Sequence, residues 1–404
     1  MHANRRRALH DLIANLHRLQ RAPQAERLLA LQIQEELLQR NHRAERCVRL
    51  NRAKLAALKD RLKARGHDRE TVRAIRSDLA TIEARIEGAK AWIETLKSLG
   101  DSIAYIYGDR FDLKPLAFRP SPGFLTGKTG ARLERKMLRG AFAMGAPAVL
   151  NDLTHTLRHG DLTIFRPDGK FMLIEAKSGR GGQYARAQRQ LAAAQEMTGY
   201  LETDERHDET GAWFRVGAPA QISDHGVRAT LMAATLKPGA WLHEEIEAGL
   251  HYVLIDCGLA EGRMEEIFRP LMGRRLMALS VNQMKGERWG YTPFVLTLSD
   301  PEVATRFYAG EFVMNVLLDL DVVAERLRCR GFALRVTDEP ERPWHIIPLG
   351  HPDGLQEGTS YASFHLIGRL AAEFVTLDWL LGAVSAPFPD QLLDRLSVRL
   401  DFEG

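Results

Sequence analysis

The sequence predicts an α/β protein in three parts, and three observations indicate this class. Residues 1–99 carry apolar side chains at helical spacing and end in a heptad pattern. Residues 100–258 mix helical and strand patterns around one short β-hairpin. Residues 259–404 mix them again, without a motif that can be interpreted. We therefore expect an N-terminal antiparallel coiled coil, a central α/β domain and a C-terminal α/β domain of unknown role.

The first 99 residues are predicted to be almost entirely helical. An amphipathic stretch ends before Pro23, and a long helix is expected from there to Arg65. Gly66 suits the position after a helix C-terminus, and Asp68 suits the N-cap of the next helix. That helix carries an a/d seam formed by Val72, Ile75, Leu79, Ile82, Ile86, Ala89, Ile93 and Leu96. The tight turn predicts a helical hairpin, and dimerisation through the coiled coil stays open as an alternative.

Positive charge is concentrated in this helical region. The chain carries 56 Lys and Arg against 52 Asp and Glu, a net charge of +4. Residues 1–100 hold 22 basic and 12 acidic residues, whereas the remainder holds 34 and 40. A basic N-terminal part fits a polyanion such as nucleic acid, but a solvated helical surface with an Arg bias explains it equally well.

The cysteines and the hydropathy pattern narrow the class of protein. Cys47, Cys257 and Cys329 are far apart, which predicts neither a disulfide framework nor a zinc site. No apolar run is long enough to span a membrane, and no apolar segment follows the basic N-terminus. We therefore expect a cytoplasmic protein.

Helices and strands are expected to alternate in the central and C-terminal domains. In the central domain we expect a loop at 118–130, helices at 131–144 and 183–201, a surface loop or boundary at 202–211, and strands at 148–150, 161–166, 170–177 and 251–257. In the C-terminal domain, Pro301 suits the first position of a helix that should continue to Arg330. The other elements expected there are strands at 294–298, 332–336 and 344–349 and a buried helix at 361–381.

The hairpin in the central domain carries the chemistry. Residues 167–169 read Pro-Asp-Gly, which is typical of a three-residue hairpin loop. Continuing the register outward places Asp161 opposite Glu175, and Lys177 then points to the same side as Glu175. Two facing carboxylates repel each other unless a cation lies between them, and hard oxygen ligands favour Mg²⁺ or Mn²⁺.

This pattern resembles the PD-(D/E)xK nuclease superfamily, which includes many restriction endonucleases and the RecB- and Mrr-like nucleases. Asp161, Glu175 and Lys177 lie on consecutive strands with a helix before and after them. The resemblance covers about residues 130–200. It implies a restriction-endonuclease-like mixed sheet flanked by helices, and a Mg²⁺- or Mn²⁺-dependent phosphodiesterase acting on DNA.

The resemblance also implies a role for each matching residue. Asp161 and Glu175 would be metal ligands, with the backbone carbonyl of Ala176 as a third. Lys177 would position and help to deprotonate the attacking water and would neutralise charge in the transition state. Glu134 matches a glutamate that many members carry on the preceding helix.

Other features of the pattern are less complete. Gln188 and Gln190 compete for a glutamine that several members place on the following helix, with Gln183 as a third candidate. Gly160 stands where the family name has a proline. Together with a coiled coil and a C-terminal domain, this nuclease pattern resembles effectors of bacterial anti-phage systems, which is an analogy at the level of the fold.

Several alternatives stay open. A non-catalytic nucleic-acid-binding adaptor would act through its coiled coil. A nucleotide-binding loop at residues 123–129, which include Lys128, would have three residues between its glycines, whereas the motif requires four. His155 and His159 are either exposed loop residues or part of a histidine metal site. Arg180, Arg186 and Arg189 either bind phosphate or belong to a solvated helix face.

Overall fold

The computed structural model describes residues 3–64, 68–117, 125–128, 130–176, 199, 205–208, 211–214, 222–259, 263–285, 290–339, 342–350 and 360–385. The chain divides into two compact units, Met1–Arg215 with Tyr291–Ala309 and Val216–Gly290 with Gly310–Gly404. These bounds differ from the three-part division expected from the sequence. Within the ranges just given, no helix is both long and apolar enough to cross a membrane.

The described residues form helices joined by short antiparallel strands. The helices are α1 Ala3–Arg21, α2 Arg27–Lys63, α3 Arg69–Tyr107, α4 Arg110–Leu113, α5 Ala131–Ala143, α6 Gly226–Thr235, α7 Met264–Phe268, α8 Val281–Met284, α9 Phe294–Thr297, α10 Pro301–Ala309, α11 Leu320–Arg328, α12 Phe364–Ala372 and α13 Leu377–Ser385. The strands are β1 Ala148–Leu150, β2 Leu162–Phe165, β3 Phe171–Ile174, β4 Glu205–Asp208, β5 Gly211–Phe214, β6 Trp241–Glu247, β7 Leu250–Asp256, β8 Leu276–Ser280, β9 Phe312–Asp319, β10 Phe332–Val336, β11 Trp344–Pro348 and β12 Ser360–Ala362.

Helices α2 and α3 form the predicted hairpin. Asp68 is the N-cap of α3, and its side chain accepts a hydrogen bond from the Thr71 amide at 2.7 Å. Near the turn Lys59 pairs with Glu83, and at the other end the Tyr107 hydroxyl donates to the Pro23 carbonyl. The two helices are therefore antiparallel. Their facing apolar residues include Val48, Ile75, Ile82 and Ile86, all of which are buried.

Helix α3 continues to Tyr107, beyond the predicted end at residue 99. Gly100, Asp101 and Ser102 are weak helix formers, so the sequence suggests that the helix ends before them. All three are nevertheless helical and buried. Gly100 packs directly against the backbone of Leu153, and Asp101 binds backbone amides of the following segment. Tertiary contacts thus override the weak helix propensity of these residues.

The first unit also holds a three-stranded sheet of order β1-β2-β3, in which both pairs are antiparallel. Gln34 of α2 is fully buried at the edge of β1. Its Nε2 donates to the Ala148 carbonyl at 2.8 Å, and its Oε1 accepts from the Leu150 amide at 3.0 Å. One side chain therefore satisfies a carbonyl and an amide of an edge strand. The helical hairpin α2–α3 belongs to the same unit as this sheet.

The second unit is built on a four-stranded antiparallel sheet of order β6-β7-β9-β8. Strand β7 confirms the strand predicted at 251–257. Val253 and Leu317 from the two central strands pack with Ile267 and Leu271 in an apolar core. A separate antiparallel sheet has the order β10-β11-β12, and its first two strands confirm those predicted at 332–336 and 344–349.

The prediction of one helix from Pro301 to Arg330 is wrong. Helix α10 ends at Ala309, and Gly310 follows with a positive φ of 74°. The next residues form β9, which lies between β7 and β8. No residue of β9 is exposed, so both of its faces are covered, and its apolar residues are nearly continuous and do not alternate. The pattern alone does not separate such a strand from a buried helix.

Other predicted elements also need correction. The strand expected at 294–298 is the short helix α9, and the loop expected at 202–211 contains β4. The helix expected at 361–381 is replaced by β12, α12 and α13, with Phe374 at a φ of 55° between the two helices. Every strand pairing within the described ranges is antiparallel, so the mixed sheet implied by the resemblance stays a proposal.

Candidate active site

The β2–β3 hairpin has the predicted loop and register. The Arg166 amide donates to the Lys170 carbonyl at 2.8 Å across the Pro-Asp-Gly loop, and Gly169 has the expected positive φ of 81°. Pairing runs outward to Leu162 opposite Ile174. Asp161 and Glu175 therefore each lie one residue beyond the end of a strand.

Asp161 is held by backbone contacts with the opposite strand. Its amide donates to the Ile174 carbonyl at 2.8 Å, and its Oδ2 accepts from the Ala176 amide at 2.8 Å. Gly160 before it has a φ of 74°, and a Cβ added there would lie 2.9 Å from the Ile174 carbonyl oxygen. Proline requires a φ near −65°, so the glycine at this position has a geometric reason.

Three carboxylates surround the ammonium of Lys128. Nζ lies 2.7 Å from Asp161 Oδ1, 2.8 Å from Asp152 Oδ2 and 3.0 Å from Glu134 Oε1. Glu134 is in the first turn of α5, and Asp152 is in the 3-10 turn that directly follows β1. The chain thus brings residues from four separate segments to one cation, and we call these four residues the Lys128 cluster.

The carboxylates of the cluster are more buried than the ammonium. The exposed fraction of the side chain is 32% for Lys128, 7% for Glu134, 19% for Asp152 and 13% for Asp161. Burial alone would lower the pKa of Lys128, but hydrogen bonds to Asp152 and Asp161 outweigh it, and the pKa is raised. Burial raises the pKa of Glu134, although the hydrogen bond from Lys128 opposes the effect. Lys128 is therefore firmly protonated.

Helix α2 fixes the segment that carries Lys128. Glu45 is buried, and its two carboxylate oxygens accept from the amides of Leu125 and Thr126, each at 2.7 Å. Charge-assisted hydrogen bonds of this kind are about twice as strong as neutral ones. The coiled coil therefore positions a residue of the candidate site.

Helix α3 fixes the segment between β1 and β2 in the same way. Asp101 is buried, and its Oδ1 accepts from the amides of His155 and Thr156 at 2.9 and 2.8 Å. Burial raises the pKa of Asp101 to about 6, although the two amides act in the opposite direction.

Asp101 is expected to make stability depend on pH. The carboxyl group has a pKa of about 6 when folded and an ordinary value of 3.8, so folding is favoured most below the ordinary value. This contribution is lost as the pH rises through 6, at a cost of up to about 3 kcal/mol in the free energy of unfolding. In denaturant unfolding from pH 4 to 8, Asp101→Asn should lack this decline.

The exposed Asp78 on the same helix offers a matched control. Asp78→Asn is expected to follow the wild-type pH curve, since Asp78 is exposed. Parallel curves for the wild type and Asp101→Asn would contradict the assignment to Asp101.

The predicted site residues fall into three groups. Asp161 and Glu134 lie together in the Lys128 cluster. Glu175 is exposed beside Ala176, whose amide binds Asp161. The other candidates lie outside the described residues: Lys177, Gln183, Gln188, Gln190, Arg180, Arg186 and Arg189. The proposed facing of Asp161 and Glu175 across the hairpin therefore stays a prediction.

The two histidines are buried, so an exposed loop is the wrong interpretation for them. His155 is 6% exposed, and its amide is bound by Asp101. His159 is 4% exposed, and its carbonyl accepts from Asn151 Nδ2 at 2.6 Å. In both cases a hydrogen bond of the histidine backbone stabilises the segment between β1 and β2.

Sequence reasoning missed Asp152 and gave Lys128 a different role. Lys128 was considered only as part of a nucleotide-binding loop, yet its ammonium contacts carboxylates. A usable signal exists for Asp152: it lies two residues after β1, and Asp161 lies one residue before the antiparallel β2. The end of one antiparallel strand lies beside the start of the next, so residues at these two positions lie close together at the same end of the sheet.

The donor groups of the cluster fit the implied divalent ion. Within the described residues no group of three acidic, His or Cys side chains already has the arrangement of a metal site. The Lys128 ammonium instead stands as a cation among three carboxylates. Hard carboxylate oxygens without thiol or imidazole ligands are what Mg²⁺ and Mn²⁺ prefer. Glu134, Asp152 and Asp161 could hold such an ion if the ammonium left.

Comparison with known proteins found no match for this chain among protein-family models, curated proteins or solved structures.

Proposed function

We propose that this protein is a metal-dependent nuclease that hydrolyses phosphodiester bonds of DNA. The observation that carries the proposal is the convergence of Glu134, Asp152 and Asp161 on one cation, beside the hairpin that leads into Glu175. Such a concentration of partly buried carboxylates is costly unless cations compensate it. Three largely buried carboxylates on one cation are more than an ordinary surface hairpin requires.

The chain's own residues would divide the work of hydrolysis. Glu134, Asp152 and Asp161 would hold Mg²⁺ or Mn²⁺, and when bound this ion supplies Lewis acidity and makes hydroxide available near neutral pH. The Ala176 amide keeps the Asp161 carboxylate oriented through Oδ2. Glu175, which is exposed beside this contact, would be a further ligand of the ion, as the resemblance implies. Lys177 would help to deprotonate the attacking water and would neutralise charge in the transition state.

A basic surface on the helical hairpin supports DNA as the partner. The exposed basic residues at the end of α2 and the start of α3 are Arg43, Arg46, Arg49, Arg52, Lys54, Lys59, Arg61, Lys63, Arg69, Arg73 and Arg76. The exposed acidic residues in the same described stretch are Asp60, Asp68 and Glu70. A polyanionic backbone is attracted by such an excess of positive charge, in a salt-dependent way.

Plasmid cleavage tests the proposal. With Mg²⁺ or Mn²⁺, the wild type is expected to cut plasmid DNA, and Glu175→Ala and Lys177→Ala are each expected to lose at least about 100-fold in rate, the order found when one electrostatic group is removed. The measurement is the initial rate of conversion from supercoiled to open-circular or linear DNA on a gel.

Lys170→Ala is a matched control for Lys177→Ala, because Lys170 is an exposed lysine of the same hairpin. Its cleavage rate should equal that of the wild type. Equal cleavage by all variants would reject the site. Binding of the plasmid without cleavage by any of them would favour the alternative, a nucleic-acid-binding adaptor that acts through the coiled coil.

A further inference from the structure

The Lys128 ammonium lies among the carboxylates of Glu134, Asp152 and Asp161. We infer that the Lys128 ammonium occupies the divalent-ion position formed by Glu134, Asp152 and Asp161, so that Mg²⁺ or Mn²⁺ binds there only by displacing it. The inference rests on the proposed function for the identity of the ion. It adds a form of regulation, in which the chain's own cation closes the resting site and sets the metal concentration that opens it.

The geometry makes the two cations mutually exclusive. All three carboxylate oxygens lie within 3.0 Å of Lys128 Nζ. An ion bound to the same oxygens at the roughly 2.1 Å typical of Mg²⁺ would lie close to the ammonium, within about 5 Å at most. At that separation the two positive charges would repel each other strongly in a partly buried site, so the ion is expected to displace the ammonium.

Among the described residues, the cavity found beside the cluster is small. A cavity of about 20 Å³ is lined by Lys128, Glu134 and Asp152 together with His42, Arg135 and neighbouring apolar residues. A volume of this size holds about one water molecule, but Mg²⁺ usually keeps several waters when it binds. A hydrated ion therefore needs the volume that the lysine side chain fills.

The charges favour exchange. One ammonium leaves two of three ionised carboxylates uncompensated, whereas a dication leaves one. The lysine side chain is the most exposed member of the cluster at 32%, so it can move into solvent without opening the apolar core. Its segment remains anchored by Glu45 through the amides of Leu125 and Thr126. Displacement therefore requires only a change of side-chain conformation.

Metal affinity provides the first test. Lys128→Met removes the ammonium and keeps the length of the side chain. We expect the dissociation constant for Mn²⁺, measured by calorimetry on the full chain, to fall at least about tenfold in this variant because a nearby positive charge is removed. Lys136→Met is the matched control, since Lys136 is exposed on the same helix as Glu134, and its affinity should equal that of the wild type. Asp152→Asn should bind Mn²⁺ at least about tenfold more weakly, because one oxygen ligand is lost.

Chemical labelling provides a second test on the unmodified site. An amine-reactive acetylating reagent should modify Lys128 several-fold faster with saturating Mn²⁺ than without it, as measured by mass spectrometry of the digested chain. The rate at Lys136 should be the same in both conditions. This readout reports the freed ammonium directly and does not depend on DNA cleavage.

The outcomes separate this inference from the proposed function. Tighter Mn²⁺ binding by Lys128→Met with faster labelling in the wild type supports displacement, even if no variant cuts DNA; only the nuclease proposal would then fail. Unchanged affinity and unchanged labelling in a protein that binds Mn²⁺ and cuts DNA would overturn displacement alone. Absence of Mn²⁺ binding in the wild type and in both Lys128→Met and Asp152→Asn would overturn it as well.

Discussion

Asp161→Asn is expected to lower DNA cleavage by at least about 100-fold, the order found when one electrostatic group of an active site is removed. In the folded protein both oxygens of Asp161 accept hydrogen bonds, one from Lys128 and the other from the Ala176 amide. An asparagine must direct its NH₂ group toward one of these donors in either orientation of the amide. We therefore expect a loss of about 1–3 kcal/mol in the free energy of unfolding as well.

Asp168→Asn in the loop of the same hairpin is the matched control. Asp168 is exposed, and its hydrogen bonds to Lys170 and Arg166 lie at the surface. Cleavage and stability should both remain close to wild type, because exposed ion pairs contribute little. Initial cleavage rates and denaturant unfolding are measured for both variants. Full activity of Asp161→Asn would remove Asp161 from the site.

Gly100→Ala is expected to destabilise the first unit by more than about 3 kcal/mol, at or beyond the upper end of the usual cost of overpacking. A Cβ at this position would lie 1.9 Å from the carbonyl oxygen of Leu153 and 2.8 Å from its carbonyl carbon. The obstacle is backbone and not the end of a flexible side chain, so either α3 or the turn that carries Asp152 must move. Denaturant unfolding and circular dichroism at several temperatures measure the loss.

Gly88→Ala on the same helix is the control, and it should raise the free energy of unfolding where Gly100→Ala lowers it. Nothing lies within 4 Å of a Cβ added at Gly88, which is exposed. Alanine there should stabilise the helix by about 0.5–1 kcal/mol through backbone entropy. Equal stability of Gly100→Ala and the wild type would show that α3 and the turn at Leu153 do not approach as closely as described.

The sequence correctly predicted the elements that depend on residues close together in the chain. The cap at Asp68, the heptad seam of α3 and the Pro-Asp-Gly loop each depend on residues within a few positions of one another. The register of β2 and β3 followed from that loop. Prediction failed at β9, because a strand covered on both faces and a buried helix carry the same apolar run. The ladder that distinguishes them joins distant parts of the chain.

The sequence alone also selected two candidates, Asp161 through the register of the hairpin and Glu134 through the resemblance to the nuclease superfamily. Only the tertiary structure brought Lys128 and Asp152 to Asp161, and only it showed that α2 and α3 hold the segments carrying them through Glu45 and Asp101. The reason is physical: spacing along the chain determines turns, caps and faces. Which charges meet in space depends on how buried helices and strands pack, and that packing is decided by contacts between residues far apart in the sequence.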